Sequence, residues 1–409
     1  MTLQKDTTQK PSSSQWTMWM SMITMALAFV IWSMVSPIAP QIQKLYHLAL
    51  FDKSLLVAIP VLLGSLLRIP LGMLADRFGG RRVYTLLMLF ILIPLAGMAT
   101  AKSLPLLLFW EVLLGAAGAS FAVGIAHVSV WFPPEKQGLA LGITAFGNIG
   151  TAIAGFIIPS LYLHVGFSNT FFIMMIPAVI GAALIAFFTK DPVRKVETNS
   201  VHTPIVHARE SFWSNPQLWL LSFYYFITFG GFVAFGNYLP TLLQQQFHLS
   251  PVSSGMRAAG FVVLATVLRP IGGYLADRIA AQRLLQVTFL FLVIGSFVFA
   301  FGLHQFTLLT VAALLIAVML GIGNGTVFKL VPHYFPSQTG KATGIVGAIG
   351  GIGGFFPPLV MGAIMQASGS FAGGLYLLGI TCFIALLIAL FTKKRQKGDH
   401  YVRTGSTSA

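Results

Sequence analysis

One stretch of this chain occurs twice. Gly64–Arg82 reads GSLLRIPLGMLADRFGGRR, and Ala265–Arg283 reads ATVLRPIGGYLADRIAAQR. Arg68 aligns with Arg269, Gly72 with Gly273, Asp76-Arg77 with Asp277-Arg278 and Arg82 with Arg283, at a constant offset of 201 in a chain of 409 residues. The chain therefore consists of two related halves. Each half places one arginine inside an apolar helix, eight residues ahead of an Asp-Arg pair at the helix end. An arginine at that depth costs roughly 2.5–3.5 kcal/mol on insertion scales, so it marks a functional position by default. Two of them at matching places point to one anion site on the axis between the halves.

Composition says what surrounds those arginines. The sequence is 56% hydrophobic and only 9% charged, with a mean hydropathy of +0.82. Apolar segments of about 20 residues, each long enough to span a bilayer, recur along the whole chain. They are read as twelve spans: 16–40, 54–76, 82–101, 104–131, 138–163, 168–189, 216–243, 253–277, 283–304, 306–331, 340–367 and 371–392. The expected fold is all-α integral membrane, with twelve transmembrane helices in two six-helix pseudo-repeats. Residues 1–15 form a polar N-terminal segment with no cleavable signal, so the first span is retained. Residues 16–189 and 216–392 are the two halves, 190–215 the linker between them, and 393–409 a basic, then Ser/Thr-rich tail. The single cysteine, Cys382, excludes an internal disulfide and a cysteine metal cluster. It is expected to be a small packing or lipid-facing residue.

A net charge of +15 would suggest nucleic acid in a soluble protein. Here it reports topology. With both termini in the cytoplasm, eighteen lysines and arginines fall in inner segments or at inner span ends, and four in outer segments or at outer span ends. Arg68, Arg269 and Lys329 lie deeper within spans. The excess of inner cations fixes that orientation. The expected location is the cytoplasmic (inner) membrane, with the lipid bilayer as surroundings, no nucleic-acid partner and a monomeric state.

The internal repeat extends further. Trp131-Phe132-Pro133 matches Tyr334-Phe335-Pro336, and Gly138–Gly142 matches Gly340–Gly344. Two six-helix halves in the same topology resemble the parallel repeat of the major facilitator superfamily. The loop carrying Gly72, Asp76, Arg77, Gly79, Gly80, Arg81 and Arg82 resembles that superfamily's signature between its second and third helices. Physically it is a tight turn: glycines reverse the chain, Asp76 can pair with an arginine or a helix N-terminus, and the cations sit on the inner surface. The second copy keeps Asp277 and Arg278 but has Ala280 and Ala281 for the glycines.

Arg68 and Arg269 each lie about two turns from the inner end of their helix. A guanidinium is planar, permanently charged and forks to two oxygens, so two of them suit a small planar oxyanion. The fifth and eleventh spans add glycine at close spacing: Gly142, Gly147, Gly150 and Gly155 in one, and Gly344, Gly347, Gly350, Gly351, Gly353 and Gly354 in the other. Small residues serve helix packing. Seven glycines among residues 340–354 exceed a packing need, since each weakens a helix. Gly142, Gly147, Gly150, Gly347, Gly350, Gly351, Gly353 and Gly354 are therefore candidates for helix sliding beside a small ligand. Asn148 supplies one amide in this apolar stretch.

These stretches carry a narrower resemblance. Gly142-Ile-Thr-Ala-Phe-Gly147-Asn148-Ile-Gly150 and Gly344–Phe355 look like the two nitrate signatures of the nitrate/nitrite porter family, and Gly321–Phe328 is similar to that family's tenth helix. The resemblance runs from Trp16 to about Phe391. It implies a twelve-helix carrier of nitrate, with nitrite as a further substrate, moved by alternating access. It implies that Arg68 and Arg269 clamp the anion, that Asn148 and Tyr225 contribute polar contacts, and that Phe229 and Phe121 flank it with rings. Aromatic faces suit a weakly hydrated planar anion whose edges the arginines take. No cofactor, no metal site and no enzymatic activity are implied. The chain shows no nucleotide loop, metal cluster or nucleophile–base set.

Three further titratable groups lie in or near spans: Glu111, the one carboxylate deep inside a span, His127 near the inner end of the same helix, and Lys329 in the tenth. Each has a plain alternative: an outer-half structural partner, a helix-end residue and a snorkelling cation. The functional reading makes one of them a proton-coupling group. With the short 332–339 loop they favour proton symport over nitrate/nitrite exchange. Exchange is the alternative, because two arginines in an empty site resist closure. A carrier of another small anion, such as a short carboxylate, is a further alternative.

Overall fold

The computed structural model describes residues 11–132, 134–191, 212–335 and 339–404. The expected segments 1–15, 190–215 and 393–409 lie largely outside those residues or outside the side chains described. All secondary structure among the described residues is helical.

Among the described residues eleven helical runs are long and apolar enough to cross a membrane. The longest, Ala140–Phe188, has 49 residues. At 1.5 Å per residue it would be about 74 Å long, more than twice a hydrocarbon core of about 30 Å. It reverses at Gly166, where φ is 79° and ψ 179°, a left-handed backbone that glycine adopts freely. Read through that turn, the spans are twelve. We label them α1 (Ser13–Leu45), α2 (Leu50–Phe78), α3 (Gly80–Thr100), α4 (Leu104–Ser129), α5 (140–165), α6 (167–188), α7 (Pro216–Phe247), α8 (Pro251–Arg278), α9 (Ala281–His304), α10 (Phe306–Tyr334), α11 (Lys341–Ser368) and α12 (Ala372–Thr392). The boundaries fall where local chemistry stops a helix. Asn215 caps α7 by accepting from the Gln217 amide at 2.9 Å, and Ser250 caps α8 through the Ser253 amide at 3.2 Å. Gly369, at φ 69°, ends α11.

Helix packing relies on small residues that let backbones approach. Within the first half, Gly64, Gly115 and Gly118 bring α2 and α4 together beside Trp32, whose indole donates to the Pro60 carbonyl at 3.1 Å. Within the second, Gly272, Gly321 and Gly325 seat α8 against α10. Cys382 is buried, so it packs rather than facing lipid.

The halves meet along α2 with α11, α5 with α8, and the broken end of α1 with α7. These contacts gather toward one end, opposite the basic loop at Gly79. The α1 break over Ser36–Ile38 follows from Pro37 and Pro40, which cannot donate to the helix ladder. It presents polar groups to α7: Ser36 donates to the Asn237 carbonyl, and Gln244 donates to the Pro37 carbonyl at 3.1 Å while accepting from Gln41 at 2.7 Å. Ser54 and Tyr238 share a hydrogen bond of 3.4 Å, and Gly155 and Gly255 bring α5 and α8 to backbone contact. Toward the basic end, Gly142, Gly344 and Gly347 face open space. The far end is thus closed, and the glycine signatures begin where the halves part.

Candidate anion site

Arg68 lies on α2 and is 2% exposed. Its Nη1 donates across the interface to the Gly347 carbonyl on α11 at 2.9 Å. Its Nε and Nη2 are buried without a hydrogen-bond partner. Its Cζ stands 5.0 Å from the ring centroid of Phe121 and 5.2 Å from that of Phe229. Arg269, half-buried on α8, donates from Nη2 to the Tyr225 hydroxyl at 2.9 Å. Its Cζ is 5.0 Å from the Phe328 ring and 5.9 Å from both Tyr225 and Phe229. The rings are continuous. Tyr225 stacks on Phe229 at 4.9 Å with planes 4° apart, Phe328 lies 4.8 Å from Tyr225, and Phe121 lies 6.4 Å from Phe229. The four-residue spacing of Tyr225 and Phe229 puts both on one face of α7.

Five of the six expected binding residues thus form one cluster: Arg68, Arg269, Tyr225, Phe229 and Phe121. The sixth, Asn148, is 2% exposed with an unpartnered Oδ1, on a 3-10 turn (Phe146–Ile149) that packs on α8. Two guanidiniums backed by ring faces, with two buried N–H-bearing atoms still unpartnered, have the chemistry to take a small anion. Among the described residues no group of three His, Cys, Asp or Glu side chains is placed to hold a metal.

Sequence reasoning did not assign Phe328 or the Gly347 carbonyl to the site. Phe328 stands 207 residues after Phe121, outside the repeat offsets of 201–203, so internal symmetry does not flag it.

The glycines divide by surroundings. Gly142 and Gly347 face open space. Gly147 and Gly150 lie against α1 at Met22, Met25 and Ala26, within their own half. A Cβ at Gly350 would strike the Tyr225 ring, one at Gly353 the Phe226 backbone, and one at Gly354 the Val233 side chain. A Cβ at Gly351 would meet Ser65 Oγ and Arg68 Nη1, across the interface. Of these glycines, Gly351 lies against the other half, and a Cβ at Gly142 or Gly347 would meet no neighbour. Gly147, Gly150, Gly350, Gly353 and Gly354 bring helices of one half together, because the surfaces they touch belong to that half.

The three titratable candidates lie apart from the cluster. Glu111 is wholly buried in the closed end of α4, both carboxyl oxygens unpartnered. His127, 1% exposed, sits between the Ser21 hydroxyl (3.2 Å from Nδ1) and Asp191 (3.8 Å from Nε2). Lys329 pairs with Asp277, both side chains about half exposed. Lys329 is therefore an ion-paired residue rather than a lone snorkelling cation. At the basic loop Asp191 accepts from the Arg81 amide at the α3 N-terminus, at 3.0 Å. The Arg81 side chain donates to the Ala186 carbonyl. Gly79, at φ 93°, lies where a Cβ would meet Asp191. Arg77 and Arg278 rest on the neighbouring Phe78 and Tyr274 rings. Gly72 has loose surroundings.

Twelve spans in two like halves, closed at one end around a buried cationic cluster, define a multi-pass membrane transporter. The sequence profile of the Major Facilitator Superfamily matches residues 21–336 and 242–406. The "Nitrite extrusion protein" of Bacillus subtilis (strain 168) is 41% identical over 382 residues, covering 92% of this chain and 94% of that one. The "Probable nitrate transporter NarT" of Staphylococcus epidermidis is 37% identical over 375 residues, covering 92% and 95%. A crystal structure of a bacterial homolog of the human lysosomal transporter Spinster, inward-facing and occupied, shares the fold with a TM-score of 0.71 at 17% identity, covering 93% of this chain and 96% of that one. This chain belongs to the nitrate/nitrite porter family of the Major Facilitator Superfamily.

Proposed function

We propose that this protein carries nitrate and nitrite across the cytoplasmic membrane by alternating access, with both termini inside, as a monomer of two rocking halves (16–189 and 216–392) joined by the 190–215 linker. The observation that carries the reading is the pair Arg68 and Arg269, one from each half, converging on one aromatic cluster. Each guanidinium takes an edge of a planar oxyanion, and Phe121, Phe229, Tyr225 and Phe328 cover the rest. The names of the relatives support the same substrates. The excess of basic residues at the Gly79 end supports its assignment to the cytoplasm, so the cluster opens inward in this arrangement.

The site's own chemistry favours exchange as the coupling mode. Two cations without an anion repel as the halves close. Lys329 and His127 are engaged with Asp277 and Asp191. Proton symport is the second reading. It rests on Glu111, a carboxyl buried within α4 with neither oxygen partnered. The test is nitrate uptake into proteoliposomes that are empty or loaded with nitrite, with and without an acid-outside gradient. Uptake only into loaded vesicles is the expected result. Acid-driven uptake into empty vesicles makes symport the mode, and no uptake under any condition contradicts the substrate assignment.

A further inference from the structure

Gly255, Ala259, Val262, Thr266 and Arg269 form one face of α8, spaced by three or four residues. That face looks toward the first half. Gly255 and Ala259 lie against Gly155, and Val262 meets Gly236 beside Thr151. Thr266 continues the stripe one turn toward the closed end from Arg269. Side chains on a helix lean toward its N-terminus, and the N-terminus of α8 is at the closed end, so the Arg269 side chain leans over the turn that carries Thr266.

Thr266 is 5% exposed, and its hydroxyl has no hydrogen-bond partner. Other buried threonines of these spans differ. Thr144, Thr228 and Thr326 each return the hydroxyl to the carbonyl four residues earlier, at 2.9, 3.0 and 2.8 Å. Thr241 and Thr288 also lack a partner, but neither lies on the arginine face of α8. A buried hydroxyl left unsatisfied carries its desolvation cost uncompensated, so a group that recurrently occupies the space before it recovers that cost. Other unpartnered atoms on elements packed against α8 include Asn148 Oδ1 on the 3-10 turn, Asn324 Oδ1 on α10 and Asn237 Oδ1 on α7.

The repeat supplies the comparison. At the offset of 201, Thr266 corresponds to Ser65, one turn ahead of Arg68. Ser65 is fully buried, but it donates to the Val61 carbonyl at 2.7 Å. Its oxygen lies with Arg68 Nη1 against the same point at Gly351. Ser65 therefore has only acceptor capacity left, which suits holding a guanidinium, while Thr266 keeps a donor to offer.

We propose that Thr266 is a substrate-contacting residue whose hydroxyl donates to an oxygen of the bound oxyanion and so favours a planar anion of three oxygens over a bent one of two. The inference rests on the anion-carrier reading above. With two oxygen edges taken by Arg68 and Arg269, the remaining oxygen of nitrate meets Thr266, and nitrite has no such oxygen.

The test is the kinetics of nitrate and nitrite transport by wild type, Thr266→Val, Thr266→Ala and Thr266→Ser in proteoliposomes, with thermal denaturation as the check on folding. Thr266→Val is expected to raise the nitrate KM about tenfold, the value of one hydrogen bond to a charged partner. The nitrite KM is expected to change less than about twofold. Thr266→Ser restores the nitrate value, and Thr266→Ala repeats the valine result if valine does not fold. Equal changes for both anions, or none, overturn the role of Thr266 while leaving the carrier reading intact. A wild type that moves neither anion overturns both.

Discussion

Arg68 of the first half donates through Nη1 to the carbonyl of Gly347 in the second, at 2.9 Å. The arginine proposed to hold the anion is thus also a tie between the halves. The remaining N–H-bearing atoms, Nε and Nη2, are buried and unpartnered. Gly347 itself faces open space, so the α11 backbone contributes a carbonyl there without a side chain in the way.

The Tyr225 hydroxyl accepts from Arg269 while its ring stacks on Phe229. Tyr225→Phe removes the first contact and keeps the second. The expected outcome is a nitrate KM raised about tenfold, as for one hydrogen bond to a charged group, with an unchanged melting temperature. Transport kinetics paired with denaturation scans check both.

The glycines separate packing from motion. Gly350→Ala drives a methyl into the Tyr225 ring, and overpacking of that kind costs typically about 1–3 kcal/mol, so the purified variant should melt several degrees lower. Gly142→Ala and Gly344→Ala enter open space at the basic end and should melt with the wild type. If the halves close over these positions during the cycle, both should slow transport. Full activity in both would exclude such closure.

Lys329 and Asp277 form a pair exposed to about half on each side. Such pairs contribute no more than about 1 kcal/mol. Lys329→Ala should therefore change stability little and leave the nitrate KM unaltered. A large loss of pH-driven uptake with intact exchange would instead mark Lys329 as a coupling residue.

Glu111 has no partner for either carboxyl oxygen, so a neutral amide of similar shape should fit its place. Under exchange, Glu111→Gln keeps nitrate/nitrite counterflow near wild type. Under symport it abolishes acid-driven uptake and spares counterflow. Measuring both fluxes on one preparation separates the two.

How much of this was legible in the sequence depends on the range of each interaction. Arg68 and Arg269 were legible because the repeat places them identically and because an arginine in an apolar span is conspicuous. Tyr225, Phe229, Phe121 and Asn148 were read from the family resemblance and not from the repeat. The chain reversal at Gly166 was visible as a break between two spans, although the helix runs on through it in hydrogen-bonding pattern. The partners of Lys329 and His127 were not legible. Asp277 is on another helix of the half, and Asp191 follows the end of α6, so both pairings follow from packing and not from spacing. The loop signature offered Asp76 as a partner for an arginine or a helix N-terminus. The acceptor on the Arg81 amide is Asp191, 110 residues along the chain, which no local pattern predicts. Phe328 was missed for the same reason: it reaches Arg269 from a position that breaks the symmetry.

The central claim is that one arginine from each half holds the anion. The most direct measurement is equilibrium nitrate binding to the purified protein for wild type, Arg68→Ala and Arg269→Ala, with melting temperature as the control for folding. Each arginine is expected to contribute at least one charge-assisted hydrogen bond, of about 1.5–3 kcal/mol. Either variant should therefore bind nitrate about 10- to 100-fold more weakly while remaining folded. Wild-type affinity in a folded Arg269→Ala or Arg68→Ala variant would contradict the account and move the anion site elsewhere in the molecule.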